Sequence, residues 1–464
     1  MPTHSKIHFE ISERKILLRI LDLFFVFLFL YVVGFIFNFS YFIIAPYRWE
    51  WTIVLAFYLS LFGTIFELYD LAKASKFDIV FKNVILTSSV TVLIYLLTPF
   101  YTPTLPQNRL QIVFFYLAII IALTLWRIAY ISLISSPRFY KRILLIGDVN
   151  DANAMLKVFK KSDPNFKLIG FINSKKENSN QAIDEDIQEF DTTDLKMIIK
   201  EQAISEIVVS DSISKILSRK LYLQLLRLLE DGFAIKDFTQ VYEDVASKVS
   251  VTHIDRDFYK YFPFSRSNQN KMYLTFQFLV DIFLSIIGLA SGILFMPIVL
   301  IGNLIANRGP LFYTQERVGK NGKVFKIIKL RSMVVDAEKE GAVWAEKEDQ
   351  RVTRFGKLLR KTRLDEVPQF VNVLKGEMSV IGPRPERPVF VKELSKKIPF
   401  YEVRHVIKPG LTGWAQVKRD YGTSADDALE KLQYDLFYIK KRSVYLDINI
   451  LIKTLSTVIF YRGY

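Results

Sequence analysis

The chain contains no cysteine, which removes disulfides, thiolate metal sites and thiol redox chemistry together. Histidine is nearly as scarce. The four present, His4, His8, His253 and His405, are scattered over 464 residues, a spacing that argues against a His-rich metal centre. Acid is under-represented too: 62 Lys and Arg stand against 47 Asp and Glu, a formal charge of +15. That excess alone would suit nucleic acid. The basic residues, however, gather beside apolar segments and around phosphate-handling patterns, not along an exposed aromatic and basic strip, so no nucleic-acid partner is expected. What is abundant is apolar, at 51% of residues with 39 Phe, and apolar segments with basic flanks fit a membrane protein better than a soluble globule. The length calls for two or three modules.

Four apolar stretches, 16–39, 51–71, 80–101 and 112–134, are each long enough to cross a hydrocarbon core as a helix. No small-residue cleavage site follows the first, so it does not read as a signal peptide. Lys6, Arg14, Lys15 and Arg19 precede the first stretch, Lys73, Lys76 and Lys82 lie between the second and third, and Arg138, Lys141 and Arg142 follow the fourth. The opposite loops carry only Arg48 and Arg109, so both ends of a bundle over 1–137 are expected in the cytoplasm. Tyr47, Trp49, Trp51 and Tyr101 suit the interface, and Pro99, Pro103 and Pro106 mark an external loop.

From 138 to 250 short β-branched runs alternate with helical ones, predicting strands at 142–147, 168–172, 206–210 and 233–238 and a helix over 152–160. The alternation implies a small doubly wound α/β domain. Its first turn, Gly147-Asp-Val-Asn-Asp-Ala152, keeps only the outer small residues of a dinucleotide fingerprint. Asp148 stands where a glycine would let backbone approach a pyrophosphate. A regulatory or assembly role therefore outranks nucleotide binding. The polar stretch 175–194 reads as a surface loop, and 251–270 as a linker.

The apolar run 273–306 has Asp281 as its only charge and Pro297 near its far end. Lys271 and Arg308 flank it, and the sequence beyond is rich in Lys and Arg, so a crossing would put a basic domain outside. Proline removes a helix donor and clashes with the preceding turn. A re-entrant helix-break-helix over 271–308, turning at Pro297, is expected, with a proline-kinked spanning helix as the alternative.

Beyond Arg308, charged and small residues crowd into close motifs: Tyr313-Thr-Gln-Glu-Arg-Val-Gly319, Phe325-Lys-Ile-Ile-Lys-Leu-Arg-Ser-Met333, Arg363-Leu-Asp-Glu-Val-Pro-Gln369, Val380-Ile-Gly-Pro-Arg-Pro-Glu-Arg-Pro388 and Lys408-Pro-Gly-Leu-Thr-Gly-Trp-Ala-Gln416. In this order they resemble the bacterial sugar transferases, the monotopic polyprenyl-phosphate phosphoglycosyl transferases. The segments ahead of them resemble the long-form members. The resemblance implies a membrane α-helical bundle, an α/β Rossmann-like domain and an α-rich (α+β) catalytic domain over 309–464 preceded by a re-entrant membrane helix, in a bacterial inner-membrane protein whose soluble domains are cytoplasmic.

The residues carry matching chemistry. Asp365 and Glu366 precede Pro368, which suits the first turn of a helix over 369–374, where amide groups would keep a carboxylate ionised. A carboxylate attacking a diphosphate meets charge repulsion, so a cation and arginines are required. Magnesium, or manganese in its place, prefers hard oxygens, and Asp365 and Glu366 are the expected metal ligands. By resemblance, Asp365 attacks the β-phosphate of a UDP-sugar, releases UMP and passes the sugar phosphate to undecaprenyl phosphate or a similar polyprenyl phosphate in the lipid, with Glu366 helping to hold the metal. Arg384, stiffened between Pro383 and Pro385, together with Arg360, Lys329 and Arg331, is expected to serve the phosphates. Gly410 and Gly413 imply a tight turn, with Trp414 and Gln416 as nucleotide contacts or simply structural residues. His405 is expected to be structural, Asp435 resembles a family acid position, and the apolar run from 446 onward reads as an interfacial or core helix. Glucose and galactose are the donors expected from the resemblance, and a homodimer is the expected assembly. Two other readings remain at this point: a membrane-bound NAD-dependent nucleotide-sugar dehydratase or epimerase, which lacks a Tyr-x-x-x-Lys pair here, and a non-catalytic scaffold, which needs no acid pair.

Overall fold

The computed structural model describes residues 11–37, 41–42, 44, 48–74, 77–133, 141–162, 166–173, 187–191, 194–210, 218–249, 270–337, 349–418 and 425–459. The chain divides into two compact units, Met1–Ala246 and Ser247–Tyr464. All but Asn270 of the expected linker lies outside the described residues.

The first unit opens with α1 (Ile11–Phe37), α2 (Trp49–Ile65), α3 (Leu71–Ala74), α4 (Phe77–Leu96) and α5 (Leu110–Leu133). Helices α1, α4 and α5 are long and apolar enough to cross a membrane, whereas α2 has 17 residues, about 26 Å of helix. The second apolar stretch is therefore not one helix to position 71. Gly63 has no side chain, so the Tyr69 ring packs directly against its backbone, and the chain turns back after Ile65 with Leu68 N donating to Gly63 O at 2.8 Å. Inside the bundle Arg127 of α5 donates to Asp22 of α1 at 2.6 Å, with Arg19 and Arg127 stacked on the Tyr69 ring. Hydropathy patterning gave no sign of this pair, because its two charges lie 105 residues apart in separate apolar segments.

Next comes a parallel sheet of β1 (Lys141–Gly147), β2 (Phe166–Asn173), β3 (Gln188–Glu189), β4 (Glu206–Val209) and β5 (Ile235–Asp237), in the order β3-β2-β1-β4-β5. Strand β1 is buried almost throughout, as a central parallel strand covered on both faces must be. Helices α6 (Val149–Ser162) and α9 (Phe238–Ala246) cover one face; α7 (Leu195–Glu201) and α8 (Arg219–Glu230) cover the other. Asp148 Oδ1 accepts from Asp151 N at 3.0 Å, so the acid in the degraded fingerprint starts α6. The stretch read as one polar loop holds β3 and the Asp194 cap of α7 at its far end; 174–186 lies outside the described residues.

The second unit begins with α10 (Lys271–Gly302), capped by Asn270, which accepts from the amides of Met272 and Tyr273. Helix α10 is continuous through Pro297, so the break expected there is absent. The lost amide donor is offset by packing of Met296 and Val299 against Leu330 and Leu359. A π turn over Asn303–Asn307 follows, and the chain changes direction at Arg308, φ 37°. The remaining elements are the antiparallel pair β6 (Phe312–Val318) and β7 (Val324–Leu330), α11 (Arg354–Lys361), α12 (Gln369–Leu374), β8 (Ser379–Ile381), α13 (Pro388–Lys397), β9 (Gly410–Thr412), α14 (Trp414–Lys418), α15 (Ala425–Lys441) and α16 (Val444–Ile459). Strands β8 and β9 pair in parallel.

One side of α10 is fastened to this unit from end to end. Tyr273 donates to Asp447 at 2.7 Å, Gln277 to Ser379 at 3.0 Å, and Asp281 accepts from Ser379 Oγ and Val380 N at 2.9 and 2.8 Å. Further along, Gly288 receives Phe370, Gly292 receives Val367 and Gly302 receives Phe355. The other side exposes Phe278, Phe283, Ile287, Leu294, Ile298 and Ile301. Together with α1, α4 and α5, α10 completes four helices apolar enough for a bilayer, which mark a membrane protein.

Candidate active site

Strand β7 alternates, so Lys329 shares the inward side with Ile327 and Phe325. Asn372 of α12 fixes the strand's position: its Oδ1 accepts from Ile328 N at 3.1 Å and its Nδ2 donates to Lys326 O at 2.8 Å. Before α12, Arg363 takes a left-handed φ of 58° and starts a 3-10 turn over Leu364–Glu366. The helix proper begins only at Gln369 with Pro368 as its N-cap, so the acids occupy the preceding turn and not the helix amide crown expected from sequence.

The two carboxylates have different surroundings. Glu366 Oε1 is 2.9 Å from Arg384 Nη2 and 3.5 Å from Lys329 Nζ, and its Oε2 is 3.4 Å from Arg363 Nη1. Burial works to raise this carboxyl, but the three cations override it and hold it well below the usual carboxylate range. Asp365 is also buried, yet its Oδ1 has no hydrogen-bond partner among the described residues. Burial, and next the charge of Glu366, push its carboxyl up to about 6 against the pull of Lys329, Arg360 and Arg363. Ionisation of Asp365 thus depends on nearby cations. Burial also lowers the Lys329 ammonium, with Glu366 opposing.

Arg384 sits on a loop with little freedom. Gly410 N donates to Pro383 O at 2.8 Å, Arg404 Nη2 to Arg384 O at 2.9 Å, Arg317 Nη1 to Pro385 O at 3.1 Å, and Val318 N to Glu386 O at 2.9 Å. Four consecutive carbonyls are thereby held, and both prolines lend their backbone to that grip. Arg404 is itself buried, donating to Asp435 at 2.8 Å and to the Tyr401 hydroxyl at 2.6 Å. Burial pushes Asp435 up to about 6, with Arg404 opposing. His405 is pushed down to about 4 by burial and by Arg404.

The other expected residues separate. Arg360 donates to Ser332 Oγ at 2.9 Å and acts electrostatically on Asp365. Arg331 turns elsewhere: its guanidinium donates to the carbonyls of Asn307, Pro310 and Met333, closing the chain after α10. Gln416 donates to Leu411 O at 3.2 Å within its own turn, and Trp414 donates to Ser247 O at 2.9 Å and stacks on Phe437. The structure does not bring either to the acid pair.

The acid pair fits a magnesium ion in one respect, the open Oδ1 of Asp365. Among the described residues no group of three or more His, Cys, Asp or Glu gathers.

A sequence profile described as bacterial sugar transferase matches residues 272–461. A Bacillus subtilis (strain 168) protein named "Putative undecaprenyl-phosphate N-acetylgalactosaminyl 1-phosphate transferase" is 52% identical over 141 residues, 30% of this chain and 79% of that protein. The chain belongs to the bacterial sugar transferase family. Also similar are the UDP-N-acetylgalactosamine-undecaprenyl-phosphate N-acetylgalactosaminephosphotransferase of Aeromonas hydrophila, 45% identical over 39% of this chain and 43% of that protein, and the UDP-glucose:undecaprenyl-phosphate glucose-1-phosphate transferase of Escherichia coli (strain K12), 42% identical over 32% and 33%. The chain thus matches less than half the length of these last two. Membership in the sugar transferases removes the dehydratase reading.

Sequence reasoning missed several residues of this sugar transferase site. Arg363 stood inside a quoted motif, and its contact with Glu366 follows from the left-handed turn between them. Arg317 likewise stood inside a quoted motif, whereas Arg404, which holds the carbonyl of Arg384, and Tyr401, whose hydroxyl accepts from Arg404, carry no local signature.

Proposed function

We propose that this protein transfers a hexose-1-phosphate from a UDP-sugar to undecaprenyl phosphate or another polyprenyl phosphate, through a covalent intermediate on Asp365. One observation carries the reading: of two adjacent buried acids, Glu366 binds the cations and Asp365 keeps an oxygen without a partner. That oxygen forms a bond to the β-phosphorus of the donor while the bond to the bridging oxygen breaks and UMP leaves. A polyprenyl phosphate oxygen then attacks the same phosphorus, the acyl-phosphate bond to Asp365 breaks, and the carboxylate is restored. Glu366 keeps Arg384, Lys329 and Arg363 directed at the reacting phosphates. Asp365 and Glu366 would hold magnesium, or manganese, which supplies charge to offset repulsion between carboxylate and diphosphate.

The contacts of α10 support a monotopic arrangement in the inner membrane. From Tyr273 to Gly302 the helix runs about 44 Å, beyond a hydrocarbon core of about 30 Å, and touches the same charged unit at both ends. A helix crossing the bilayer would leave a water-facing unit behind, so the consistent placement seats α10 in the cytoplasmic leaflet, its exposed apolar side in lipid and its fastened side on the unit. Relatives at 45% and 52% identity are named for N-acetylgalactosamine, and one at 42% for glucose, which puts UDP-N-acetylgalactosamine first among donors, ahead of UDP-glucose and UDP-galactose. The test is incubation of the purified full chain with donor labelled in the β-phosphate, without lipid acceptor. Label on the peptide bearing Asp365, discharged by adding polyprenyl phosphate, is expected; UMP release without any labelled protein refutes the covalent route.

A further inference from the structure

Helix α8 covers the sheet with Leu221, Leu225 and Leu228, yet its outward side is apolar as well: Tyr222, Leu223, Leu226 and Leu229 are 39–59% exposed. Contiguous exposed apolar side chains of this kind mark an interaction surface. At 100° per residue Arg219, Leu223, Leu226 and Glu230 fall on one line, at spacings of four, three and four, the interval of a helix-packing seam. This line reads the same reversed except for its charge, positive at one end and negative at the other. The signs also oppose the helix's own interest, since a base at the N-terminus and an acid at the C-terminus both disfavour the macrodipole.

We infer that α8 is a self-association surface, on which two copies of this chain pack α8 antiparallel about a two-fold axis between Leu223 and Leu226. Reversal sets Arg219 of one copy against Glu230 of the other and Leu223 against Leu226, with Tyr222 and Leu229 flanking. Each misplaced charge then gains a partner of opposite sign and lies beside the favourable end of the opposite helix. Arg219, Lys220 and Arg227 outnumber Glu230 on α8 and would suit an anionic leaflet as well, but only a second copy matches the opposite charges at the two ends of the Leu223–Leu226 line. One helix pair covers less than the roughly 800 Å² per partner of a standard interface, so the contact relies on confinement of both copies.

The absence of native cysteine gives a clean cross-linking background. In membranes containing the full chain, Leu226→Cys is expected to give a covalent dimer with a short bis-maleimide. Arg219→Cys and Glu230→Cys, co-expressed on separate copies, should cross-link to each other and not to themselves. Arg219→Glu in the Leu226→Cys background should lower the dimer about tenfold, although it favours the helix itself, and adding Glu230→Arg should restore it. Three results each overturn the proposal: cross-linking of Arg219→Cys to itself, which means parallel pairing; no charge-swap rescue; or a Leu226→Cys thiol that is maleimide-reactive but uncrosslinked. Shielding of that thiol from aqueous maleimide together with quenching by a bilayer-dissolved probe also overturns it, in favour of lipid.

Discussion

Asp365→Asn should abolish turnover and at the same time stabilise the fold. The folded carboxyl titrates near 6 against a free value of 3.8, a difference of about 2 pH units. Each unit is worth about 1.36 kcal/mol, so keeping Asp365 ionised at pH 7 opposes folding by about 3 kcal/mol. The sign follows from the raised value: relative to the free group, the folded state is favoured below about 3.8 and loses that advantage as pH rises through 6. Asparagine removes the charge but keeps the shape. Thermal unfolding of the full chain in detergent with EDTA, which prevents a metal from masking the effect, should show the variant unfolding roughly 5–10 °C higher at pH 7.5. The gap should shrink toward zero by pH 4. A variant equally or less stable at pH 7.5, or a gap that ignores pH, refutes the claim that burial strains this carboxylate.

On the proposed covalent route only ionised Asp365 attacks, so the rate of UMP release should fall about tenfold per pH unit below an acid limb near 6. Lys329→Met removes a cation that favours ionisation and should move that limb upward by about one unit at fixed magnesium; an unmoved limb would dissociate Lys329 from the nucleophile. Arg404→Met strands Asp435 in the interior and should destabilise by about 3–5 kcal/mol in denaturation, whereas adding Asp435→Leu should recover most stability without recovering kcat, since Arg384 O stays unheld. Gly288→Leu would place atoms inside the Phe370 ring and should cost about 1–3 kcal/mol with a parallel loss of kcat, read by thermal shift and UMP assay.

Much of this was legible because local rules and tertiary demands agree. Arg142 through Gly147 reads as a buried strand and is one, since a central parallel strand has no polar side to show. Asp365, Glu366 and Arg384 could be singled out from motifs, and the fold brings Arg384 to Glu366. Other features fail for definable reasons. A proline predicts helix disruption from one lost bond, but Val299 and Met296 supply enough packing to carry α10 past Pro297. Arg331 looks like Lys329 in sequence, and only the chain reversal at Arg308 decides that its donors meet carbonyls. Arg404 and Asp435 are 31 residues apart, and a buried pair of that separation leaves no periodic trace.

The glycines of α10 have a consequence for how the reaction is organised in space. Gly288 and Gly292 receive Phe370 and Val367, which lie on either side of Pro368 in the few residues after the acid pair. On the proposed covalent route, the depth at which Asp365 meets a lipid phosphate is therefore set by the helix that Phe370 and Val367 plug into.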